Sequence, residues 1–316
     1  MSKENFADKL IKAVKEKGNP ICVGLDPRLE QIPKFIRDQV FVENPDASPT
    51  MLAAMTILEF NKGIIGAVAD IVPVVKPQVA FYEIFGADGM WAYQETLKYA
   101  KRKGLITIAD VKRNDIGSTA EAYARAFLGE VELFAGESEV VMPIFDADSL
   151  TINPYLGWDG IKPFISEAAE YGKGMFVLVK TSNASSGDIQ DIVMENGSPL
   201  FELVGQFVDS WGADCIGESG YSFVGAVVGA TYPEQAKKLR RLMPNSIFLV
   251  PGYGAQGGAA EDVKPCFNDD GLGAIVNNSR GIIFAYENME QFNELEYAQA
   301  AREACILMKR DLEKVL

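Results

Sequence analysis

A short run of alternating charges follows an apolar segment near position 110, and these residue types could do chemistry. Asp110 and Lys112 are two residues apart, and Asp115 follows three residues later. In an extended strand alternate side chains share a face, which would place Asp110 and Lys112 about 7 Å apart along it. Residues 105–109 are nearly all apolar or β-branched, as in a strand buried on both faces. The charges therefore emerge from a core, which favours a functional site over a solvated surface pair.

The sequence contains no histidine, and this limits the groups that can move protons near neutral pH. Carboxylates, lysines, cysteines and tyrosines remain as candidates. A lysine placed between two aspartates is one solution, because its ammonium group can give a proton to a strongly basic atom. Ser118 and Glu121 form a Ser-x-x-Glu capping box, which predicts that a helix begins directly after the charged run.

The overall charge narrows the range of partners. The chain has 44 acidic and 30 basic residues and a net charge of −14, which disfavours nucleic acid or an anionic membrane as partner. Residues 1–17 carry charges throughout, unlike a secretory signal, and no uncharged apolar run reaches the ~18 residues needed to span a bilayer. The four cysteines lack metal-type spacing and are typical of reduced core thiols. A cytoplasmic protein with a small-molecule ligand is expected.

Eight strand patterns alternate with helix patterns along the chain. The predicted strands are 21–25, 71–76, 105–110, 149–153, 175–180, 224–230, 246–251 and 273–277. Ser48-Pro49 and Ser198-Pro199 each predict a helix start, with serine as the N-cap and proline at the first helical position. This alternation predicts an α/β fold, a (β/α)8 TIM barrel that uses all 316 residues as a single domain. An N-terminal helix at about 4–17 and an insertion at about 129–148 complete the expected organisation.

The active site of such a barrel lies at the C-terminal ends of its strands. Polar residues stand at most of the predicted strand ends: Asp26, Lys76, Asp110, Lys112, Lys180 and Ser182. The seventh strand ends in the glycine-rich segment 251–258, and Arg280 follows the eighth. Glycines let backbone N–H groups approach an anion, and arginine binds phosphate through two N–H groups, so this pair of loops predicts a phosphate site. Lys180 has no partner evident in the sequence and is interpreted as structural.

Several of these segments carry a family resemblance. Residues 110–119, Asp-Val-Lys-Arg-Asn-Asp-Ile-Gly-Ser-Thr, resemble the Asp-x-Lys-x-x-Asp signature of the orotidine 5′-phosphate decarboxylase family. Further resemblances lie, in order, at 23–26, 75–83, 151–157, 228–231 and 251–258. Together these segments resemble the longer, type 2 branch of the family and extend over residues 20–285.

The resemblance implies a decarboxylation of orotidine 5′-phosphate to uridine 5′-phosphate and CO2 without metal or cofactor, the last step of de novo pyrimidine synthesis. Lys112 matches the proton donor to C6 of the pyrimidine, and Asp110 matches the carboxylate beside the departing CO2. Lys76 and Asp115 complete an alternating Lys-Asp-Lys-Asp array. The implied substrate contacts are Asp26 at the ribose, Ser182 at the pyrimidine, Gln256 and Arg280 at the phosphate, and Gly257 and Thr119. The resemblance also implies a homodimer with active sites shared across the interface.

Other functions remain open from the residues alone. A related phosphosugar decarboxylase or aldolase on the same barrel would use a divalent metal and a glutamate near the end of the second strand, where this chain has Lys76. An aldolase with a Schiff-base lysine would need a neutral amine in apolar surroundings, whereas Lys112 is flanked by aspartates. A non-catalytic sensor of a phosphate ligand would need the phosphate site but would have no use for the Lys-Asp-Lys-Asp array.

Overall fold

The protein is an eight-stranded parallel barrel with two further strands outside it. The computed structural model describes residues 3–136, 138–254 and 258–316. The strands in these ranges are β1 (Ile21–Leu25), β2 (Val74–Pro77), β3 (Ile106–Arg113), β4 (Val131–Ala135), β5 (Ser138–Met142), β6 (Ser149–Ile152), β7 (Gly174–Lys180), β8 (Ser222–Val228), β9 (Ser246–Val250) and β10 (Ala274–Asn278). The barrel closes in the order β1-β2-β3-β6-β7-β8-β9-β10, with β10 pairing back onto β1.

Helices surround the barrel and follow its strands in sequence. They are α1 (Phe6–Lys17), α2 (Lys34–Glu43), α3 (Pro49–Val68), α4 (Ala80–Glu83), α5 (Gly86–Arg102), α6 (Gly117–Phe127), α7 (Trp158–Tyr171), α8 (Gly187–Gln190), α9 (Leu200–Gly212), α10 (Pro233–Leu242), α11 (Ala260–Val263), α12 (Arg280–Ile283) and α13 (Tyr297–Leu312). The alternation of strand and helix confirms the predicted TIM barrel.

Burial explains why the strand patterns could be recognised. Every residue of β1, β2, β6, β8, β9 and β10 is buried, so each strand is a short apolar run with few polar residues before its end. The second strand begins later than predicted, at Val74, because Pro73 has no N–H to give to a ladder. The third strand extends to Arg113, with a register shift between Ala109 and Arg113.

The predicted helix starts differ in their outcome. At α3, Ser48 is the N-cap and its side chain accepts a hydrogen bond from the Met51 N–H, as predicted. The start at Ser198 is wrong by one position, because Pro199 is the N-cap of α9. The capping box at Ser118 is also wrong. Gly117, with φ of +53°, begins α6 one residue before Ser118, so the serine lies within the first turn, where it cannot cap the helix.

Two elements lie outside the regular barrel pattern. Helix α1 packs under the barrel, and its Phe6 ring meets the Phe176 ring of β7 edge to face at a centroid distance of 6.1 Å. Strands β4 and β5 pair as an antiparallel hairpin between α6 and β6, with Phe134 and Val141 exposed. Helix α1 and the β4–β5 hairpin are thus additions to the eight-stranded barrel.

Helix α3 is long and apolar enough to cross a membrane by length and composition alone. Its most apolar 18-residue window has a mean hydropathy of 1.4 and is 56% buried within the protein. The helix carries the charged residues Glu59 and Lys62, and its buried face packs against α5 and α13. These contacts are those of a core helix in a globular protein.

Candidate active site

A cavity of about 550 Å³ opens at the C-terminal ends of the barrel strands. Its volume falls within the range of small-molecule sites, roughly 300–1,000 Å³. Six of the residues singled out in the sequence line it: Asp26, Lys76, Asp110, Lys112, Ser182 and Arg280. The barrel thus brings together side chains that are up to 254 residues apart in the sequence.

Three charged side chains form a continuous array on one wall of the cavity. Lys76 is the penultimate residue of β2, and its Nζ lies 2.6 Å from Oδ2 of Asp110 on β3. The other carboxylate oxygen, Oδ1, lies 2.6 Å from Nζ of Lys112. Lys76 and Asp110 are buried, whereas the Lys112 side chain is 47% exposed and lines the cavity. Lys112 is therefore the ammonium group of the array that a ligand can reach most easily.

The two buried members of the array, Lys76 and Asp110, stabilise each other in their charged forms. Burial alone would raise the pKa of Asp110, but the ammonium groups of Lys76 and Lys112 hold it well below its usual range. Burial would lower the pKa of Lys76, but Asp110 and Asp26 raise it above its ordinary value. Asp110 is therefore held as a carboxylate and Lys76 as an ammonium group near neutral pH.

Asp26 lies just beyond β1 in a less favourable environment for its charge. Its pKa is raised, because burial disfavours the carboxylate more than the nearby Lys76 stabilises it. Its Oδ1 is buried and has no hydrogen-bond partner within the described part of the chain. Asp26 also lines the cavity, where its carboxylate could accept a hydrogen bond from a hydroxyl group of a ligand.

Thr151, on β6, was not assigned a role from the sequence, yet it organises the array. Its Oγ1 accepts hydrogen bonds from the N–H groups of Val111 and Lys112, each at 3.0 Å, and donates to Oδ1 of Asp110 at 2.9 Å. The signal available in the sequence was its position near the end of a barrel strand. A threonine in a strand is too common for that signal to be decisive.

Lys112 adopts a backbone conformation that is rare for a residue with a side chain. Its φ of +46° lies in the left-handed region. The distortion coincides with the register shift in β3, and it brings the Lys112 ammonium back onto Asp110. Such strain costs on the order of 1–3 kcal/mol and persists where surrounding contacts impose it, often at functional sites.

Residues predicted to form a phosphate site line the cavity beyond the ends of β9 and β10. Arg280, the first residue of α12, lines the cavity together with Gly252, Tyr253 and Ser279. The Tyr253 hydroxyl donates a hydrogen bond to Oδ2 of Asp311 on α13 at 2.6 Å, which fixes the start of the glycine-rich loop. The two other predicted residues of this loop, Gln256 and Gly257, lie outside the described residues.

Two predicted site residues are not in the cavity of their own chain. Asp115 follows β3, is half-buried, and accepts a hydrogen bond on Oδ1 from the Ile116 N–H at 2.8 Å. Thr119 is exposed on α6. Neither belongs to the cavity lining formed by the described residues.

Lys180 has a partner in the structure, although none was evident in the sequence. Its side chain is fully buried at the end of β7, and its Nζ lies 2.7 Å from Oδ1 of Asp191. The absence of a signal has a physical origin. Asp191 follows the short helix α8, and nothing in the sequence pattern shows that the chain folds back over the strand end there.

The fold and the cavity define an α/β-barrel enzyme that carries its own charged groups at the mouth of the barrel. A comparison with known families is more specific. Residues 19–295 match the "Orotidine 5'-phosphate decarboxylase / HUMPS family". The chain belongs to this family.

Individual relatives support the same assignment. An orotidine 5′-phosphate decarboxylase of Rhodopirellula baltica is 45% identical over 312 residues, which are 98% of this chain and 99% of the relative. Another, from Caldicellulosiruptor bescii, is 45% identical over 284 residues, 90% of this chain and 91% of the relative. A crystal structure titled as a putative orotidine 5′-phosphate decarboxylase of Streptomyces avermitilis superimposes with a TM-score of 0.74 at 29% identity, covering 99% of this chain and 98% of that one.

Proposed function

We propose that this enzyme converts orotidine 5′-phosphate to uridine 5′-phosphate and CO2 without metal or cofactor, with Lys112 as the proton donor. One observation carries the proposal: the Lys76-Asp110-Lys112 array, with both carboxylate oxygens of Asp110 2.6 Å from an ammonium nitrogen. The family relationship and the high coverage of the decarboxylase relatives support the choice of substrate.

The chemical step demands a cation beside C6 of the pyrimidine. The bond between C6 and the carboxylate breaks, CO2 leaves, and the electron pair stays on C6 in the plane of the ring, where the π system cannot delocalise it. An ammonium group placed in advance stabilises this pair and then gives it a proton. Lys112 is exposed to the cavity and is oriented by Asp110, so its Nζ suits both tasks. Water then returns a proton to the amine.

Asp110 contributes by remaining charged. Its lowered pKa keeps a carboxylate at a place where the substrate carboxylate must bind. Repulsion between the two groups disfavours the bound substrate and disappears when CO2 departs, so the transition state is favoured relative to the ground state. Lys76 prevents the repulsion from displacing Asp110, because its buried ammonium holds the other carboxylate oxygen.

Binding energy from the rest of the nucleotide must offset that repulsion. We assign Arg280, which lines the cavity, to the phosphate, and Gln256 and Gly257 to the same group from the family motif. Asp26, whose side chain lines the cavity, is assigned to the ribose hydroxyls. Ser182, which lines the cavity after β7, is assigned to the pyrimidine.

The alternatives fit the cavity less well. A divalent metal would have to bind where the Lys76 ammonium already neutralises Asp110 at 2.6 Å, and the two positive charges would repel each other. A Schiff-base lysine would have to lose its proton next to the Asp110 carboxylate. A ligand sensor would gain nothing from keeping a buried ion pair at the centre of its site.

The direct experiment is a turnover assay on the purified protein with orotidine 5′-phosphate and an excess of chelator. Loss of the orotate absorbance together with equal amounts of uridine 5′-phosphate and CO2 is the expected result. Turnover that appears only after a divalent cation is restored would contradict the metal-free mechanism. Tight binding of the nucleotide without turnover would identify a sensor instead.

We further propose that the enzyme is a homodimer in which Asp115 and Thr119 complete the site of the partner subunit. Both residues lie outside the cavity of their own chain. Large apolar side chains are exposed beside them: Ile116 after β3 and Tyr155, Leu156 and Trp158 after β6. Leu156 lies close to Asp115, since a Cβ on Gly160 would touch both residues. An exposed apolar patch of this kind is typical of a protein interface.

Mixing two inactive variants tests the shared site. Lys112→Ala and Asp115→Ala subunits are combined under conditions that allow exchange, which is monitored with a tag on one subunit. Each mixed dimer would contain one doubly defective site and one site with both native residues. Random exchange makes half of the dimers mixed, so about a quarter of all sites should work. Exchange without recovery of activity would refute the shared-site proposal.

The proposed setting is the cytoplasm. The four cysteines are buried as free thiols, which suits a reducing compartment. The net charge of −14 disfavours binding to nucleic acid or to an anionic membrane surface. In this setting the enzyme would supply uridine 5′-phosphate for pyrimidine nucleotide synthesis.

A further inference from the structure

A fully buried lysine lies behind one wall of the cavity and takes no part in the reaction described above. Lys180 ends β7, and its side chain has no exposed surface. Its Nζ lies 2.7 Å from Oδ1 of Asp191 and donates a hydrogen bond to Oγ of Ser186 at 3.3 Å. Both partners belong to the chain segment that follows the strand. This segment therefore supplies the carboxylate that neutralises the buried ammonium group.

Aromatic rings complete the environment of the ammonium group. Nζ lies 4.4 Å from the centre of the Tyr232 ring and 5.7 Å from that of Phe201. Both distances suit cation–π attraction. The Tyr232 hydroxyl donates a hydrogen bond to the carbonyl of Asn183 at 3.3 Å, so the same ring also holds the segment.

The segment held by Lys180 forms a wall of the cavity. Residues 181–190 include seven of the cavity-lining side chains, among them Ser182, Ser186 and Gln190. Gln190 fixes the two ends of the segment to each other: its Oε1 accepts from the Thr181 N–H at 2.9 Å, and its Nε2 donates to Oγ1 of Thr181 at 2.8 Å. Asp191 lies directly after this closure. The Lys180–Asp191 ion pair therefore holds the C-terminal end of the wall, next to this closure.

Ser182 is positioned by this wall and by the end of β8. Oγ1 of Thr231 donates to the Ser182 carbonyl at 3.2 Å, and a Cβ on Gly229 would approach Ser182 to 2.8 Å. These contacts join Ser182 to the residues that follow β8. Lys180, through Asp191 and Ser186, supports the same segment.

We propose that Lys180 is a positioning residue, and that its ion pair with Asp191 latches segment 181–191 over the cavity and holds Ser182 against the base of the nucleotide. The identity of the bound group rests on the proposed function. The ion pair includes no residue of the Lys76-Asp110-Lys112 array, so the latch should govern binding of the base and leave the charged array unchanged.

The test uses Asp191→Asn, because the Asp191 side chain is 43% exposed and its loss leaves the barrel intact, whereas a change at the buried Lys180 endangers folding. Asp188→Asn is the matched control, since Asp188 is an exposed aspartate on α8 of the same segment. Asp191→Glu keeps the charge and tests for rescue. Dissociation constants are measured calorimetrically for uridine 5′-phosphate and for ribose 5-phosphate, which lacks the base. The melting temperature of each variant is recorded.

Asp191→Asn should bind uridine 5′-phosphate about tenfold more weakly if the latched state falls to about a tenth of the population. Its affinity for ribose 5-phosphate should stay within about twofold of wild type, because that ligand makes no contact that depends on the latched wall. Asp191→Glu should recover most of the loss, and Asp188→Asn should match the wild type.

Two results would overturn the proposal, and they are distinct from failure of the proposed function. Unchanged affinity of Asp191→Asn for uridine 5′-phosphate would refute the latch, whatever its melting temperature. An equal loss of affinity for both ligands would assign the ion pair a general structural role. If the wild type neither binds uridine 5′-phosphate nor turns over its carboxylated precursor, the proposed function fails, and the latch proposal fails with it.

Discussion

Replacing Thr151 by valine should remove the hydrogen bonds that support Asp110 and Lys112 while keeping the shape of the side chain. The Thr151 hydroxyl accepts hydrogen bonds from the N–H groups of Val111 and Lys112 and donates to the carboxylate of Asp110. Valine removes all three contacts and leaves two backbone donors without their partner. The Val111 N–H is buried, and a buried, unsatisfied donor costs about 1–3 kcal/mol, so we expect a loss of at least this size in the free energy of unfolding.

The same change should reduce catalysis in the protein that remains folded. Lys112 depends on this hydroxyl for its strained backbone, and Asp110 depends on it for one hydrogen bond to Oδ1. Small displacements of reacting groups are costly, so kcat should fall at least tenfold, which corresponds to about 1.4 kcal/mol. Activity is measured with orotidine 5′-phosphate well below the melting temperature, and stability is measured by urea unfolding.

Thr107→Val provides the matched control. Thr107 is buried near the start of β3, far along the strand from the array, and its hydroxyl donates to Oδ2 of Asp148 at 2.9 Å and accepts from the Asp148 N–H at 3.1 Å. This variant should lose stability to a comparable extent and keep its kcat. If Thr151→Val unfolds more easily but retains the wild-type kcat, the hydroxyl serves stability alone, and the reasoning about Lys112 and Asp110 is wrong.

Three further predictions follow from the geometry and charge of the site. Arg280→Ala should raise KM and also lower kcat, because phosphate binding supports the strained complex. Free phosphite should increase the turnover of a truncated nucleoside substrate more in the wild type than in this variant. An equal increase in both proteins would show that Arg280 does not bind the phosphate. Lys112→Gly should be more stable than Lys112→Ala by about 1 kcal/mol in urea unfolding, since glycine adopts a φ of +46° without strain; equal stability would show that this backbone stores no strain. The lowered pKa of Asp110 means that its stabilising contribution is present above about pH 4 and is lost as the pH falls toward its folded-state pKa. Asp110→Asn should therefore lose less free energy of unfolding than the wild type between about pH 4 and pH 2. An unchanged dependence of the free energy of unfolding on pH would contradict the charged state assigned to Asp110.

The barrel could be predicted because its physics repeats along the chain. A strand that is buried on both faces must be apolar, and a strand end that faces the cavity is free to be polar, so the two halves of each pattern are visible in the sequence. Lys76, Asp110 and Lys112 were found in this way. Their contact was predicted only loosely, because a regular strand would separate Asp110 and Lys112 by about 7 Å along its axis, and a local backbone distortion brings their side chains together.

The parts that could not be predicted depend on register and on chain reversal. Thr151 contacts the array because β6 pairs with β3 across the inserted hairpin, and the exact alignment of those strands is not encoded in either segment alone. Asp191 reaches Lys180 because a short helix turns the chain back over the end of β7. In both cases the contact depends on how two elements are arranged in space, and the residue types along the chain do not specify that arrangement.

The turnover of Lys112→Ala tests the central claim most directly. The residue lies at a strand end with an exposed side chain, so the variant should fold, as circular dichroism can verify. In an assay with orotidine 5′-phosphate and excess chelator, the Lys112→Ala variant should lose nearly all activity. The other ammonium group of the array, that of Lys76, is buried and less accessible from the cavity. Retention of more than about a tenth of the wild-type kcat, a barrier change below ~1.4 kcal/mol, would contradict the assignment of Lys112 as the proton donor.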